Sequence, residues 1–277
     1  MEITAAAVKA FRDKTGLPMM ECKKALQEAN GNEEQAIELL RKAGKKTMEG
    51  RTDRETEAGR IAVYTDPKSG VSAMVELLCE SAPVANTDEF IALVGALARQ
   101  LAEGPGAKTA DELLDQPFPG KSTTIRFEYD DLVNKIREVF KLNRLVRVET
   151  PCGTYVHHTN DVGVLVEYDG TKLEVARDVG MHVASMRPKV FSKDDLDQAM
   201  LAKERELVVE EVQQNNAGKP ANIIEKIVEG RMKTFIAESC LLDQSFVKEP
   251  SKTVAQYASD NEVKLIGFTH WVLGRQD

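Results

Sequence analysis

The sequence predicts an α+β protein, with a small helical module in front, a duplicated core behind it and a helical hairpin arm. Three observations predict it. Residues 1–44 divide into three short helical patterns that stop at a highly charged stretch. Two successions of strand, turn, strand and helix then follow, one in each half of the chain. Finally, two longer helical patterns meet at the breaker-rich Asn215-Asn216-Ala217-Gly218-Lys219-Pro220. A chain of 277 residues, 42% apolar and 30% charged, is soluble globular material too long for one small core.

The module, 1–44, begins with a helix from Thr4, a suitable N-cap, to about Lys14, where Gly16 supplies the stop. Pro18 opens a second helix whose apolar stripe is Cys22, Ala25, Leu26 and Ala29. Gly31 ends it. Asn32 caps a third, in which Glu33 and Glu34 face the positive end of the helix dipole and Ala36, Leu39, Leu40 and Ala43 point inward. Gly44 is expected to close it. Residues 45–58 carry eight charges and a single large apolar residue, so they read as a linker that tethers the module.

The first core half is expected over 59–141. A hairpin runs from Arg60 to Cys79 around the turn Asp66-Pro67-Lys68-Ser69-Gly70. The loop CESAPVANTDEF, 79–90, follows, and a helix from Asp88 then shows Phe90, Leu93, Val94, Leu97 and Leu101 on one face. An amphipathic helix is expected over Asp130 to Lys141, with Leu132, Ile136, Val139 and Phe140 on one stripe. The second half, 142–277, repeats the order: strands near 145–149, 154–158 and 162–168, then a helix from Thr171 to Met186. Val75-Glu76-Leu77 matches Val166-Glu167-Tyr168, and Val94-Gly95-Ala96-Leu97 matches Val179-Gly180-Met181-His182. The first copy holds six extra residues between strand and helix, and these lie in the 79–90 loop. Helical patterns at 194–213 and 221–239 form the antiparallel arm, 194–239. A short helix near Lys252 to Ser259 and an apolar strand, Val263 to Leu273, complete the second half.

Composition excludes several function classes. A net charge of −8 does not suit a general nucleic-acid binder. No apolar run approaches membrane-spanning length, and Glu2 stands where a secretion signal carries positive charge, so a cytoplasmic chain is expected. Cys22, Cys79, Cys152 and Cys240 show no paired spacing and suit reduced structural thiols rather than a metal site. Pro119-Gly120-Lys121-Ser122-Thr123 resembles the end of a phosphate-binding loop, but the first glycine of that motif falls at Asp115, which leaves a turn. His157 and His158 are neighbours in a strand, so they face opposite ways and share no metal. No catalytic grouping emerges, and no cofactor is expected. Two features stay open on the residues alone: His182 is either a core histidine or a contact residue, and Met19-Met20 is either core filler or an adaptable apolar contact.

Three separated stretches carry a family resemblance. FRDKTGLPMMECKKALQEANGN, with Met19-Met20 and Cys22-Lys23-Lys24-Ala25-Leu26, strongly resembles the amino-terminal, ubiquitin-associated-type (UBA-like) module of bacterial elongation factor Ts. Gly180-Met181-His182-Val183-Ala184-Ser185 resembles that family's second core helix. Gly218-Lys219-Pro220, Val228-Glu229-Gly230-Arg231-Met232-Lys233 and Gln244-Ser245-Phe246-Val247 resemble its coiled-coil return and the segment beyond.

The resemblance implies a guanine-nucleotide exchange factor for elongation factor Tu that makes no covalent step and binds no nucleotide itself. It implies contacts through the module (Met19, Met20, Lys23, Lys24) and through the second half (Met181, His182). It also implies a loop that enters beside the partner's magnesium site, where the family has Thr-Asp-Phe-Val. Here that loop reads Ser81-Ala82-Pro83-Val84, without the carboxylate and without the aromatic ring. Glu80 and Asp88 are the candidates to replace the acid. The alternative reading is a protein that binds and holds elongation factor Tu with weakened exchange.

Overall fold

The computed structural model describes residues 3–50, 54–216 and 218–275. In the module, α1 (Ala5–Thr15) is capped by Thr4, whose hydroxyl accepts from the Ala7 amide at 3.2 Å. Gly16 ends it with a left-handed backbone, φ 70°. Helix α2 (Met19–Glu28) and α3 (Glu33–Glu49) complete the unit, and Val8, Phe11, Cys22, Leu26, Ala36 and Leu40 bury its small core.

Gly44 does not end α3. The space a side chain would need there is filled by Asn134, whose Oδ1 lies 1.2 Å from where a Cβ would stand. The glycine therefore serves close packing inside the helix, and the backbone stays helical to Glu49. Of the expected linker, residues 51–53 lie outside the described residues.

The first half contains β1 (Ala58–Thr65), β2 (Ser72–Cys79), α4 (Ala82–Ala85), α5 (Asp88–Glu103), α6 (Ala110–Leu114), α7 (Ile125–Ile136) and β3 (Lys141–Val148). The strands form one antiparallel sheet in the order β1-β2-β3. Helix α5 lays Phe90, Leu93, Val94, Leu97 and Leu101 into the core beneath it. Each such side chain contributes about 1.5–3 kcal/mol on burial.

Helix α7 differs from the expected 130–141. Thr124 caps it by accepting from the Phe127 amide at 3.2 Å, which starts it five residues earlier. Arg137 stops it with a left-handed backbone, φ 68°. Phe140 is then free to pack edge-on against Phe90, with centroids 5.1 Å apart, and the chain enters β3. That strand supplies the third member of the first sheet, although the sequence places most of it with the second half.

The module is docked rather than loose. Arg41 of α3 stacks over the Phe127 ring at 3.2 Å and pairs with Asp131 at 3.4 Å, while Glu21 of α2 pairs with Arg137. Charged side chains that sequence patterning assigns to solvent thus join α2 and α3 to α7.

The chain divides into two units: 1–149 with 158–162 and 272–277, and 150–157 with 163–271. In the second, β4 (Cys152–Val156), β5 (Val162–Asp169) and β8 (Lys264–Val272) form a sheet in the order β4-β5-β8. Helix α8 (Leu173–Met186) packs on β4 at Gly153, where a Cβ would stand 2.4 Å from the Ala176 carbonyl carbon. Helices α9 (Gln198–Asn215) and α10 (Ala221–Ser239) are joined by a loop in which Ala217 lies outside the described residues. They pack through Val208, Val212, Val228 and Met232, with Arg231 bridging to Glu211 at 2.7 Å. A short ribbon, β6 (Ser245–Phe246) with β7 (Glu249–Thr253), and α11 (Val254–Asp260) precede β8.

Candidate functional site

The stretch after β2 is an ordered turn of helix rather than an open loop. Ser81 is extended, and Ala82 and Pro83 occupy the first two positions of α4, where the missing proline amide costs no intrahelical bond. The turn is tied at both ends. Glu138 accepts from the Ser81 amide at 3.0 Å and from its hydroxyl at 2.6 Å. At the other end Arg60 donates to the Ala85 carbonyl at 3.2 Å and to Asn86 Oδ1 at 3.0 Å, and the Thr87 hydroxyl donates to the Val84 carbonyl at 2.9 Å.

These ties sort the four expected residues. Ala82 and Pro83 are exposed at the tip. Val84 is half-buried against the first core cluster and anchors the turn. Ser81 is half-buried, with its hydroxyl engaged by Glu138. Glu80 turns away from the tip, accepting from Arg54 at 2.8 Å and from the Val139 amide at 2.8 Å. Asp88 is exposed in the first turn of α5. The tip itself therefore presents a small apolar, stiff surface, braced at Ser81 by the Glu138 carboxylate.

Arg137, Glu138 and Val139 are the site residues that sequence reading passes over. Inside a helix over 130–141, Val139 would join the apolar stripe and Arg137 and Glu138 would lie off it. The left-handed Arg137 instead ends the helix and makes three consecutive residues a non-helical connector between Glu21, Ser81 and Glu80.

On the module, Met19 and Met20 are 43% and 73% exposed, and Lys23 and Lys24 are exposed beside them on α2. This gathers an apolar and basic patch on both sides of Glu21 in the chain. In the second half, His182 takes the core alternative. It is fully buried; its Nδ1 accepts from the Val247 amide at 3.1 Å, so Nε2 carries the proton toward Gln244 Oε1 at 2.8 Å. Beneath it Phe246 stacks on Tyr257 with centroids 4.1 Å apart. Met181 is half-buried and Val247 is 42% exposed, so His182 supports the 244–247 segment from below.

Burial holds the His182 imidazole below its ordinary value of 6.5, against a smaller opposing pull from Gln244. The folded state therefore binds fewer protons than the unfolded chain just below pH 6.5, and stability falls as pH falls. The contribution is fully present above about 6.5, the unfolded value, and is lost toward the lowered folded value, at no more than about 1.4 kcal/mol per pH unit. Urea midpoints between pH 7.5 and 5.5 check this. The wild-type loss should exceed that of His182→Gln, and equal losses would remove His182 as its source.

The four cysteines are free and buried. Burial, with the Glu138 charge second, pushes the Cys79 thiol up to about 11, and burial takes Cys152 to about 12, which keeps both protonated. Lys121 pairs with Glu128 at 2.7 Å in a turn at Gly120. No group of three or more metal-binding side chains occurs among the described residues. No helix among them is long and apolar enough to cross a membrane.

Among the described residues, this α+β chain presents a braced surface turn with Ala82 and Pro83 exposed at its tip. Residues 80–275 match the family described as Elongation factor TS. The chain is 35% identical over 276 residues to the elongation factor Ts of Hydrogenobaculum sp., covering 99% of this chain and all of that one. It is 37% identical to that of Hydrogenovibrio crunogenus (99% and 92% covered) and 40% identical to that of Herminiimonas arsenicoxydans (98% and 91% covered). The chain belongs to the elongation factor Ts family, and so to the translation elongation factors of protein biosynthesis.

Proposed function

We propose that this protein is a guanine-nucleotide exchange factor that promotes GDP release from elongation factor Tu in the cytoplasm, without binding nucleotide or catalysing a bond change. The observation that carries the reading is the braced α4 turn, with Ala82 and Pro83 exposed where the family resemblance puts the intruding loop. A tip that is already ordered loses little freedom on entering a partner, so its contacts can be spent on distortion there. Magnesium is a sensitive target because it demands near-ideal octahedral oxygen ligands. Contacts made only with the distorted site weaken nucleotide binding by the same factor that nucleotide weakens complex formation.

In this reading the UBA-like module contributes Met19, Met20, Lys23 and Lys24, an apolar patch with two cations. The second half contributes Met181, with His182 acting through the 244–247 segment it supports. The α9–α10 pair is the coiled-coil arm. GDP release from elongation factor Tu, followed by stopped-flow fluorescence, tests the proposal. Saturating protein should weaken GDP affinity about 5- to 150-fold and speed release. The bare tip, lacking acid and ring, favours one alternative, a holding protein. Complex formation with an unchanged release rate is the result that would select it.

A further inference from the structure

We infer that Arg137, Glu138 and Val139 form a relay that couples docking of the helical module to the position of the α4 turn, which makes Arg137 and Glu138 positioning residues for the exposed tip. The inference deepens the exchange-factor reading and rests on it for its functional consequence.

Three consecutive residues make contacts in two directions. The Arg137 guanidinium pairs with Glu21 on α2, in the same helical turn as Met19 and Met20. The Glu138 carboxylate takes both donors of Ser81, the residue that opens α4. The Val139 amide donates to Glu80, the residue before it, at 2.8 Å. Any shift of α2 that pulls on Arg137 is passed along one short stretch of backbone to both ends of the Glu80-Ser81 pair.

Arg137 stands at the left-handed end of α7. Its φ of 68° is a conformation that costs an arginine more than a glycine, and helices that end this way usually place glycine there. The same turn ends α7 and leaves the Arg137 guanidinium paired with Glu21. Among the described contacts, α3 also holds α7 through Arg41 and Asp131, and the far end of α4 is held by Arg60 of β1. The 137–139 segment is where the two sets meet.

Arg137→Gly is the informative variant, because glycine adopts the left-handed backbone without strain and α7 keeps its stop. In the isolated full-length variant, hydrogen exchange of the amides over 80–85 should speed up by about tenfold, the order expected on losing one charge-assisted hydrogen bond. Glu21→Gln should act in the same direction, and the charge swap Glu21→Arg with Arg137→Glu should restore part of the protection. Unchanged exchange over 80–85 in both single variants would overturn the relay.

The functional arm uses GDP release at saturating variant. Glu21→Gln and Glu138→Gln should each lower the maximal rate, with little change in the concentration that gives half of it. The double variant should be no slower than the slower single, since both break one path, whereas multiplying defects would mean two independent contacts and no relay. Failure of the wild-type protein to speed release would remove the exchange-factor reading and leave the amide-exchange result to decide the relay alone.

Discussion

Replacing Glu76 by alanine is expected to cost about 3–5 kcal/mol, the range for breaking one side of a buried ion pair. Glu76 lies in the middle of β2 with no exposed surface. Arg144 grips it with two bonds, Nε at 2.9 Å and Nη2 at 2.8 Å, Asn143 donates at 2.6 Å, and the Gly274 amide donates at 2.9 Å. Four donors thus lose their acceptor at once, and the Arg144 charge stays behind in a site only 17% exposed. The double variant Glu76→Leu with Arg144→Leu should recover part of the loss: a packed apolar pair avoids the desolvation that the ions suffer, while the Asn143 and Gly274 donors still lack this acceptor. Urea unfolding of the single and double variants measures both numbers. A single-variant loss under about 1 kcal/mol, the size of a surface pair, would show that water reaches this carboxylate.

Glu76 also marks what was legible in the sequence. Its place in the repeated Val75-Glu76-Leu77 identifies a strand, and the hairpin around Asp66 follows from turn chemistry: Asp66 accepts from the Lys68 and Ser69 amides at 3.0 and 3.2 Å. The apolar face of α5 and the stripe of α2 were equally readable, since each is a local period of one residue class. What could not be read was set by partners distant in sequence. Nothing near Gly44 reveals that Asn134 occupies its side-chain space, so a helix stop was the natural expectation. Nothing near Glu138 shows that its acceptors are filled from Ser81, 57 positions away.

The same limit applied to α7. Val139 and Phe140 fit the helical stripe by spacing, but Tyr129 and Phe90 pack on the Phe140 ring only after the chain has left the helix. The candidate site was visible as a place, because the six extra residues between strand and helix stand out against the second copy. Its mechanics were not, since they depend on Arg60, Arg137 and Glu138, three charges that any helix or strand surface could carry.

The exchange-factor reading leads to a gain-of-function result, expected from Ala82→Asp combined with Pro83→Phe. Both positions are exposed, and a one-turn helix accepts either side chain without moving the Ser81 or Val84 anchors. Stability should change by less than about 0.5 kcal/mol, as for surface positions generally. The functional effect is much larger. A phenylalanine offers roughly 150–250 Å² of surface where proline offers less, and a buried aromatic anchor contributes about 2 kcal/mol or more at an interface. If half of that is realised only with the distorted magnesium site, maximal GDP release should rise several-fold, because 1.4 kcal/mol is about tenfold in rate. The acid adds a charge beside a divalent cation, so its share should shrink as salt is raised, while the aromatic share should persist. Separate single variants measured at two salt concentrations resolve the two contributions. An unchanged release rate, with the complex as tight as before, would mean that the tip docks away from the magnesium site, since neither a ring nor a carboxylate could be inert beside it.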